Sequence, residues 1–260
     1  MKFVCCIPKE LREKLLDFPR LYAYPTEPEP AQDYVILDSG AFELSMRGKQ
    51  IDKAHMAKMN EHYQKFGASN DKPVIGVAPD VFPNPADTMK NWKIWHANNY
   101  VPVAPVIQFT TMKKIDLYAV MKQVKFYGVH PFVFISNPGL RGAEAWSRNF
   151  QYAVNLVREN MKPNWIHILG AGWDRQDMID WKRISGIDSI DTIAYYTAAR
   201  EGIAWSGVAD DDWKITAINN AVMARGILSQ ERANKACSGL VEASVPQRES
   251  TLKKLSARRV

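Results

Sequence analysis

The sequence predicts an α/β protein whose parallel sheet closes into a TIM-type barrel, in a single domain. Three observations lead there. Short apolar runs alternate with helix-period stretches, with no shift into an all-helical or all-β region. Polar or glycine-rich residues punctuate the C-terminal end of each apolar run, the face where barrel enzymes gather their chemistry; a doubly wound sheet would concentrate them at one switch point. The chain has 260 residues, which suits one such unit.

The elements follow in order. Tyr34–Leu37 is a strand-like run ending at Asp38-Ser39-Gly40, and a helix follows near Asp52–Phe66 with Asp52 as N-cap. Pro73–Val77 is the next run, ending at Pro79-Asp80, before a helical Asp87–His96 carrying Met89 and Trp92 on one face. Val101–Ile107 ends at Gln108, and Met112–Phe126 reads as a helix with Leu117, Met121 and Val124 on one stripe. Phe132–Ile135 ends near Asn137-Pro138-Gly139, followed by Trp146, Phe150, Val154 and Val157 at helical spacing. Trp165–Leu169 leads into Gly170-Ala171-Gly172. Met178–Ile184 is a short helix, and Ser189–Ala194 is the last strand-like run. The barrel is expected over residues 1–244, with a basic tail over 245–260 that carries Lys253, Lys254, Arg258 and Arg259. That tail reads either as a solvated, fraying helix or as a phosphate-contacting extension.

Hydrophobic residues make up 46% of the chain, enough for a sizeable core. The net charge of +6 favours polyanionic partners through phosphate attraction and counterion release. Cys5, Cys6 and Cys237 form no zinc-ligand spacing. His55, His62, His96, His130 and His167 are scattered, so each reads as a core or surface histidine rather than a ligand. No metal and no cofactor is therefore expected. The cysteine usage suits a reducing cytoplasm. The opening MKFVCCIPKELREKLL lacks the apolar core of a signal peptide, and no apolar run is long enough to cross a bilayer, so no membrane association is expected.

Taken singly, an aspartate after a strand is an Asx turn or a helix cap. Taken together, Asp38, Asp80, Gln108, Gly139 and Asp191 would converge on one barrel mouth. Three carboxylates in one pocket are costly unless they have partners or chemistry to perform.

The strand-end blocks carry a resemblance. Ile36-Leu37-Asp38-Ser39-Gly40-Ala41-Phe42, Asp80-Val81-Phe82-Pro83, Val106-Ile107-Gln108, Pro138-Gly139-Leu140-Arg141-Gly142, Leu169-Gly170-Ala171-Gly172 and Gly186-Ile187-Asp188-Ser189-Ile190-Asp191 occur in this order. They resemble the motif series of the tRNA-guanine transglycosylases, over Ile36 to about Trp205. The resemblance implies a (β/α)8 barrel with Asp191 as the nucleophile at C1′ of the target nucleoside and Asp38 as general acid/base. It implies that Asp80 reads the guanine N1–H and amine, and that Gln108 and the Gly139 N–H donate to O6. Phe42 would stack on the base. Ser39, Leu140 and Leu169 would complete the pocket, and Asp188 would be structural. The chain departs from the tRNA enzymes in lacking their C-terminal Cys-x-Cys-x-x-Cys zinc site. Tyr195-Tyr196-Thr197 replaces their Pro-Thr-Arg, Phe82 stands where a cysteine is usual, and Ala41 replaces a glycine.

That pattern is similar to the compact, zinc-free DNA-guanine transglycosylases of bacteriophages and bacterial DNA-modification islands. It implies exchange of guanine in DNA for a 7-deazaguanine such as preQ0, in the cytoplasm of the cell or host. Trp173, Tyr195, Tyr196 and Trp205 are either strand-gripping or packing residues. Three alternatives stay open: tRNA as the polymer, a non-catalytic nucleic-acid-binding partner subunit, and a glycosidase acting on free nucleosides.

Overall fold

The computed structural model describes residues 1–16, 18–24, 34–41, 44, 48–49, 51–69, 73–82, 84–98, 101–109, 115–136, 144–172 and 174–229. Nine strands run through them: β1 (Lys2–Cys6), β2 (Arg20–Ala23), β3 (Val35–Asp38), β4 (Val74–Val77), β5 (Val103–Ala104), β6 (Val106–Gln108), β7 (Phe132–Ser136), β8 (Trp165–Leu169) and β9 (Ser189–Thr192). Their spatial order is β5-β4-β3-β2-β1-β9-β8-β7-β6, with every pair parallel.

The two ends of that order, β5 and β6, are consecutive in the chain and separated only by Pro105. They are two halves of one rung. Proline has no N–H to give a ladder, so the rung breaks there. The carbonyls still serve the neighbours: Gly76 N donates to Pro102 O at 2.9 Å, and Phe134 N donates to Pro105 O at 3.0 Å. One half pairs with β4, the other with β7, and the sheet closes into an eight-rung parallel α/β barrel. The expected run Val101–Ile107 is thus one rung in two pieces.

Seven α-helices accompany the strands among the described residues: α1 (Lys53–Ser69), α2 (Pro85–Asn98), α3 (Leu117–Tyr127), α4 (Glu144–Met161), α5 (Arg175–Lys182), α6 (Ala194–Arg200) and α7 (Trp213–Ser229). Their starts follow ordinary capping chemistry. Asp52 accepts from His55 N at 2.7 Å, Asp116 from Tyr118 N and Ala119 N at 3.1 Å, and Asp174 from Asp177 N at 2.9 Å. On α3 the buried face is Val120, Gln123, Val124 and Tyr127, while Met121 is exposed. The expected stripe through Met121 was therefore rotated by one position, because Gln123 faces inward to bond the backbone of β6. The last strand ends at Thr192, and Ala194 already begins α6.

Three elements, β1, β2 and α7, lie outside the expected series. β1 and β2 are too short and too uniformly buried to alternate, and β1 closes the barrel against β9. Helix α7 buries the small residues Ala217, Ala221 and Ala224 together with Leu228, which lets it lie close on β1, α5 and α6. Below the mouth, the Lys2 ammonium lies 5.2 Å from the Trp165 ring centroid and 5.7 Å from that of Tyr34. No helix of the described residues is long and apolar enough to cross a membrane.

Candidate active site

Strand alternation decides which side chains meet at the mouth. Ser189 and Asp191 stand on one face of β9, as do His167 and Leu169 on β8 and Cys6 on β1. Asp191, 5% exposed, is the centre of one cluster. Its Oδ1 accepts from His167 Nε2 at 2.9 Å and from the backbone N–H of Gly170 at 3.1 Å. Its Oδ2 accepts from the Cys6 thiol at 3.2 Å. The Gly170-Ala171-Gly172 turn wraps around this residue. Ala171 N donates to Asp191 O at 2.7 Å, and Thr192 Oγ1 donates to Gly172 O at 2.9 Å. Glycine is required at 172: φ is +93°, and an added Cβ would lie 2.6 Å from the Asp177 Cβ.

His167 is fully buried, and its Nδ1 lies 2.7 Å from Ser189 Oγ. That same oxygen accepts from the Trp165 indole N–H at 2.7 Å. Burial, followed by the charge of Asp191, its hydrogen bond to the thiol and the charge of Asp38, pushes the Cys6 thiol well up. Cys6 is thus a neutral donor that feels both carboxylates.

Asp38 ends β3. Its Oδ2 accepts from Gly40 N at 3.2 Å, so it makes the Asx turn that an isolated strand-end aspartate would make. Ser39 is buried, accepting from Ala41 N at 3.3 Å while its carbonyl faces His55 Nε2 at 3.3 Å. Tyr63 of α1 anchors this corner, donating to Leu37 O at 2.6 Å and Val77 O at 3.0 Å. Burial and then the charge of Asp38 push the Tyr63 hydroxyl well up, so it stays a donor.

The second cluster lies across the mouth. Asp80, 9% exposed, accepts on Oδ1 from Thr88 Oγ1 at 3.0 Å and from Gln108 Nε2. Burial raises its carboxyl above the usual range, opposed by hydrogen bonds from Gln108, Thr88, Ser136 and Val81. Gln108 also donates to Thr88 Oγ1 at 2.9 Å and Val81 O at 3.2 Å. Two neighbouring acceptors, the Asp80 carboxylate and the Val81 carbonyl, dictate that its NH₂ face them. Its Oε1 is buried with no partner among the described residues. The expected donor to a purine O6 is therefore already spent, and Gln108 presents an acceptor instead. Its backbone is clamped from α3: Gln123 accepts from Gln108 N and donates to Gln108 O, both at 2.8 Å.

Of the residues expected to line a pocket, Asp38, Ser39, Asp80, Gln108, Leu169 and Asp191 all stand at the C-terminal ends of strands on one barrel face. Phe42, Gly139 and Leu140 lie outside the described residues, as do Trp173, Cys237 and the tail. Asp188 is structural as expected, paired with Arg158 and accepting from Ile166 N at 2.6 Å. Tyr195 and Trp205 are packing residues; Tyr195 is buried, and its hydroxyl donates to Cys6 O at 3.0 Å.

Cys6 and His167 are the site residues that sequence reasoning missed. Two-residue alternation back from Leu169 would have put His167 on the inner face. Among the described residues no cluster of three or more His, Cys, Asp and Glu side chains could hold a metal.

No family model and no curated protein matches the chain. Among solved structures, the YdjI aldolase from Escherichia coli K12 is similar at 13% identity and TM-score 0.43, with 88% of each chain covered. A tryptophan synthase from M. tuberculosis in its aminoacrylate-bound form is similar at 11% identity and TM-score 0.39, covering 87% of this chain and 93% of that one. Likenesses this distant say nothing of chemistry, and the fold is defined by the hydrogen-bonded order of the strands.

Proposed function

We propose that the protein is a DNA-guanine transglycosylase, a pentosyltransferase that exchanges guanine in DNA for a 7-deazaguanine such as preQ0. One observation carries the reading. Asp38, Ser39, Asp80, Gln108, Leu169 and Asp191 of the transglycosylase-like blocks stand at the C-terminal ends of strands on one barrel face, where Asp191 and Asp80 are the centres of two dissimilar clusters. One holds a carboxylate by its Oδ1; the other pairs Asp80 with a buried, unfilled acceptor.

Asp191 attacks C1′ and the C1′–N9 bond breaks, its electron pair leaving with guanine. Asp38 supplies a proton to the departing base. The entering 7-deazaguanine gives its ring N–H proton to Asp38 and takes C1′ from the ester, restoring the Asp191 carboxylate. Two inversions at one carbon give net retention. Gln108 Oε1, beside Asp80, accepts from the N–H edge of the base. A site built around that edge rejects bases that leave its buried groups unpaired. A guanine stacked in a duplex cannot enter such a mouth, so the nucleotide is flipped out or single-stranded.

Incubation with labelled guanine and either DNA or tRNA tests this. Label is expected in DNA, and none with Asp191→Ala. Label in tRNA alone would overturn the choice of polymer. Release of base from free nucleosides without incorporation would make the protein a nucleosidase, and binding without exchange a partner subunit. Mass spectrometry of nucleosides from DNA co-expressed with the protein and a preQ0 supply identifies the inserted base.

A further inference from the structure

Resting on that reading, we propose that His167 is a positioning residue that makes Oδ2 the attacking oxygen of Asp191, with Ser189 and Trp165 fixing the tautomer of the imidazole.

The proton count at Ser189 leads there. Its Oγ carries one proton and accepts from the Trp165 indole, a group that can only donate. His167 Nδ1 lies 2.7 Å away. With Nδ1 bare, the serine proton goes to it and every polar atom is paired. With Nδ1 protonated, the serine oxygen would receive two N–H groups, and its own proton, fully buried, would face no other acceptor among the described residues. The imidazole therefore carries its proton on Nε2 and donates it to Asp191 Oδ1.

Oδ1 is thus held twice, by His167 and by the Gly170 N–H, which engages both of its lone pairs. Among the described residues, Oδ2 receives only the Cys6 thiol, a weak donor. An attacking oxygen needs a free lone pair, and Oδ2 has one. When the bond from Oδ2 to C1′ forms, Oδ1 becomes the ester carbonyl oxygen and keeps both N–H donors. When the entering base takes C1′, the bonding pair returns to the carboxylate and the same donors receive the developing charge. His167 therefore serves both half-reactions without touching the substrate. The Ser189–His167–Asp191 series has the order of a hydrolase triad but runs the other way. Ser189 lies fully buried two residues below the mouth, and its oxygen is committed to an indole.

Two measurements on the full chain test this. Nitrogen-15 NMR of the His167 ring needs no substrate and so stands apart from the transglycosylase reading. It is expected to show Nε2 protonated and Nδ1 bare, with the Nδ1 resonance shifted in Ser189→Ala. A proton on Nδ1 would overturn the proposal even if the protein exchanges guanine. In base exchange, His167→Leu is expected to lose about 100-fold in kcat with little change in KM, the effect of removing one oriented donor, and His167→Gln to recover to within about 10-fold of wild type. Leucine at wild-type rate, or glutamine no better than leucine, would also overturn it. If the wild type exchanges no base at all, the functional reading falls, and the tautomer measurement alone decides the role of His167.

Discussion

The two clusters across the barrel mouth hold their carboxylates in opposite ways. Around Asp191, strong donors converge on one oxygen and leave the other to a thiol. Around Asp80, hydrogen bonds from Gln108, Thr88, Ser136 and Val81 crowd the carboxylate, and the buried Oε1 of Gln108 beside it has no partner among the described residues. An asymmetric shell keeps a lone pair available for bond formation. A crowded shell makes a rigid edge that can match a flat partner but offers little to attack with. The same residue type, placed on two strand ends, is thereby suited to reaction on one side and to recognition on the other.

The largest expected effect lies on the reactive side. Asp191→Asn keeps the volume and hydrogen-bonding partners but removes the attacking charge, and exchange should fall by about 10⁴-fold or more, read as label incorporated into DNA. Asp38→Asn should cost about 10²–10⁴-fold, with the larger share in kcat, because a proton carrier is lost while the Asx turn remains. If both variants affected only KM, the division into a reactive side and a reading side would be wrong.

A smaller effect is expected on the reading side. Gln108→Met removes the unfilled acceptor and the donor to Asp80. The KM for the entering base should rise by about 10-fold or more, as expected for a lost hydrogen bond of ~1–3 kcal/mol, with kcat less affected. Smallest of all is a stability effect with the opposite sign. The raised carboxyl of Asp80 means that the folded state favours its neutral form. Its contribution is fully present below the unfolded pKa and is lost as pH rises through the higher folded value. Asn at this position has no charge to bury and can still accept from Gln108 and Thr88. Asp80→Asn should therefore gain in melting temperature relative to wild type as pH rises from 3 to 8. A change of ~1 kcal/mol corresponds to about 2–4 °C for a chain of this size. A constant difference across that range would show that the carboxyl is not penalised by burial.

The sequence made the α/β alternation legible because rungs such as Val74–Val77 and Trp165–Leu169 are apolar runs bounded by polar residues. It hid β1 and β2, since Lys2–Cys6 and Arg20–Ala23 lie outside both the periodic stretches and the motif blocks. The strand-end aspartates were legible as a set, yet how each is held was not. That Gln108 spends its N–H groups on Asp80 depends on Asp80, Val81 and Thr88 folding back toward it, a tertiary arrangement with no sequence period. The role of His167 is illegible in the sequence for a related reason. A histidine inside an apolar strand reads as core, and only the closing of β9 beside β8 brings Ser189 and Asp191 to its two nitrogens.

The break at Pro105 leaves β6 only three residues long, and the side chain of Gln123 grips the last of them by both backbone groups. A position on an outer helix therefore sets the height and tilt of a residue at the barrel mouth. Replacing Gln123 with a shorter or longer side chain would shift the Gln108 amide without changing any group in the pocket. If the protein exchanges bases as proposed, substitution at this buried helix position would retune which base the mouth accepts, and libraries aimed at altered specificity should include residue 123 alongside Asp80 and Gln108.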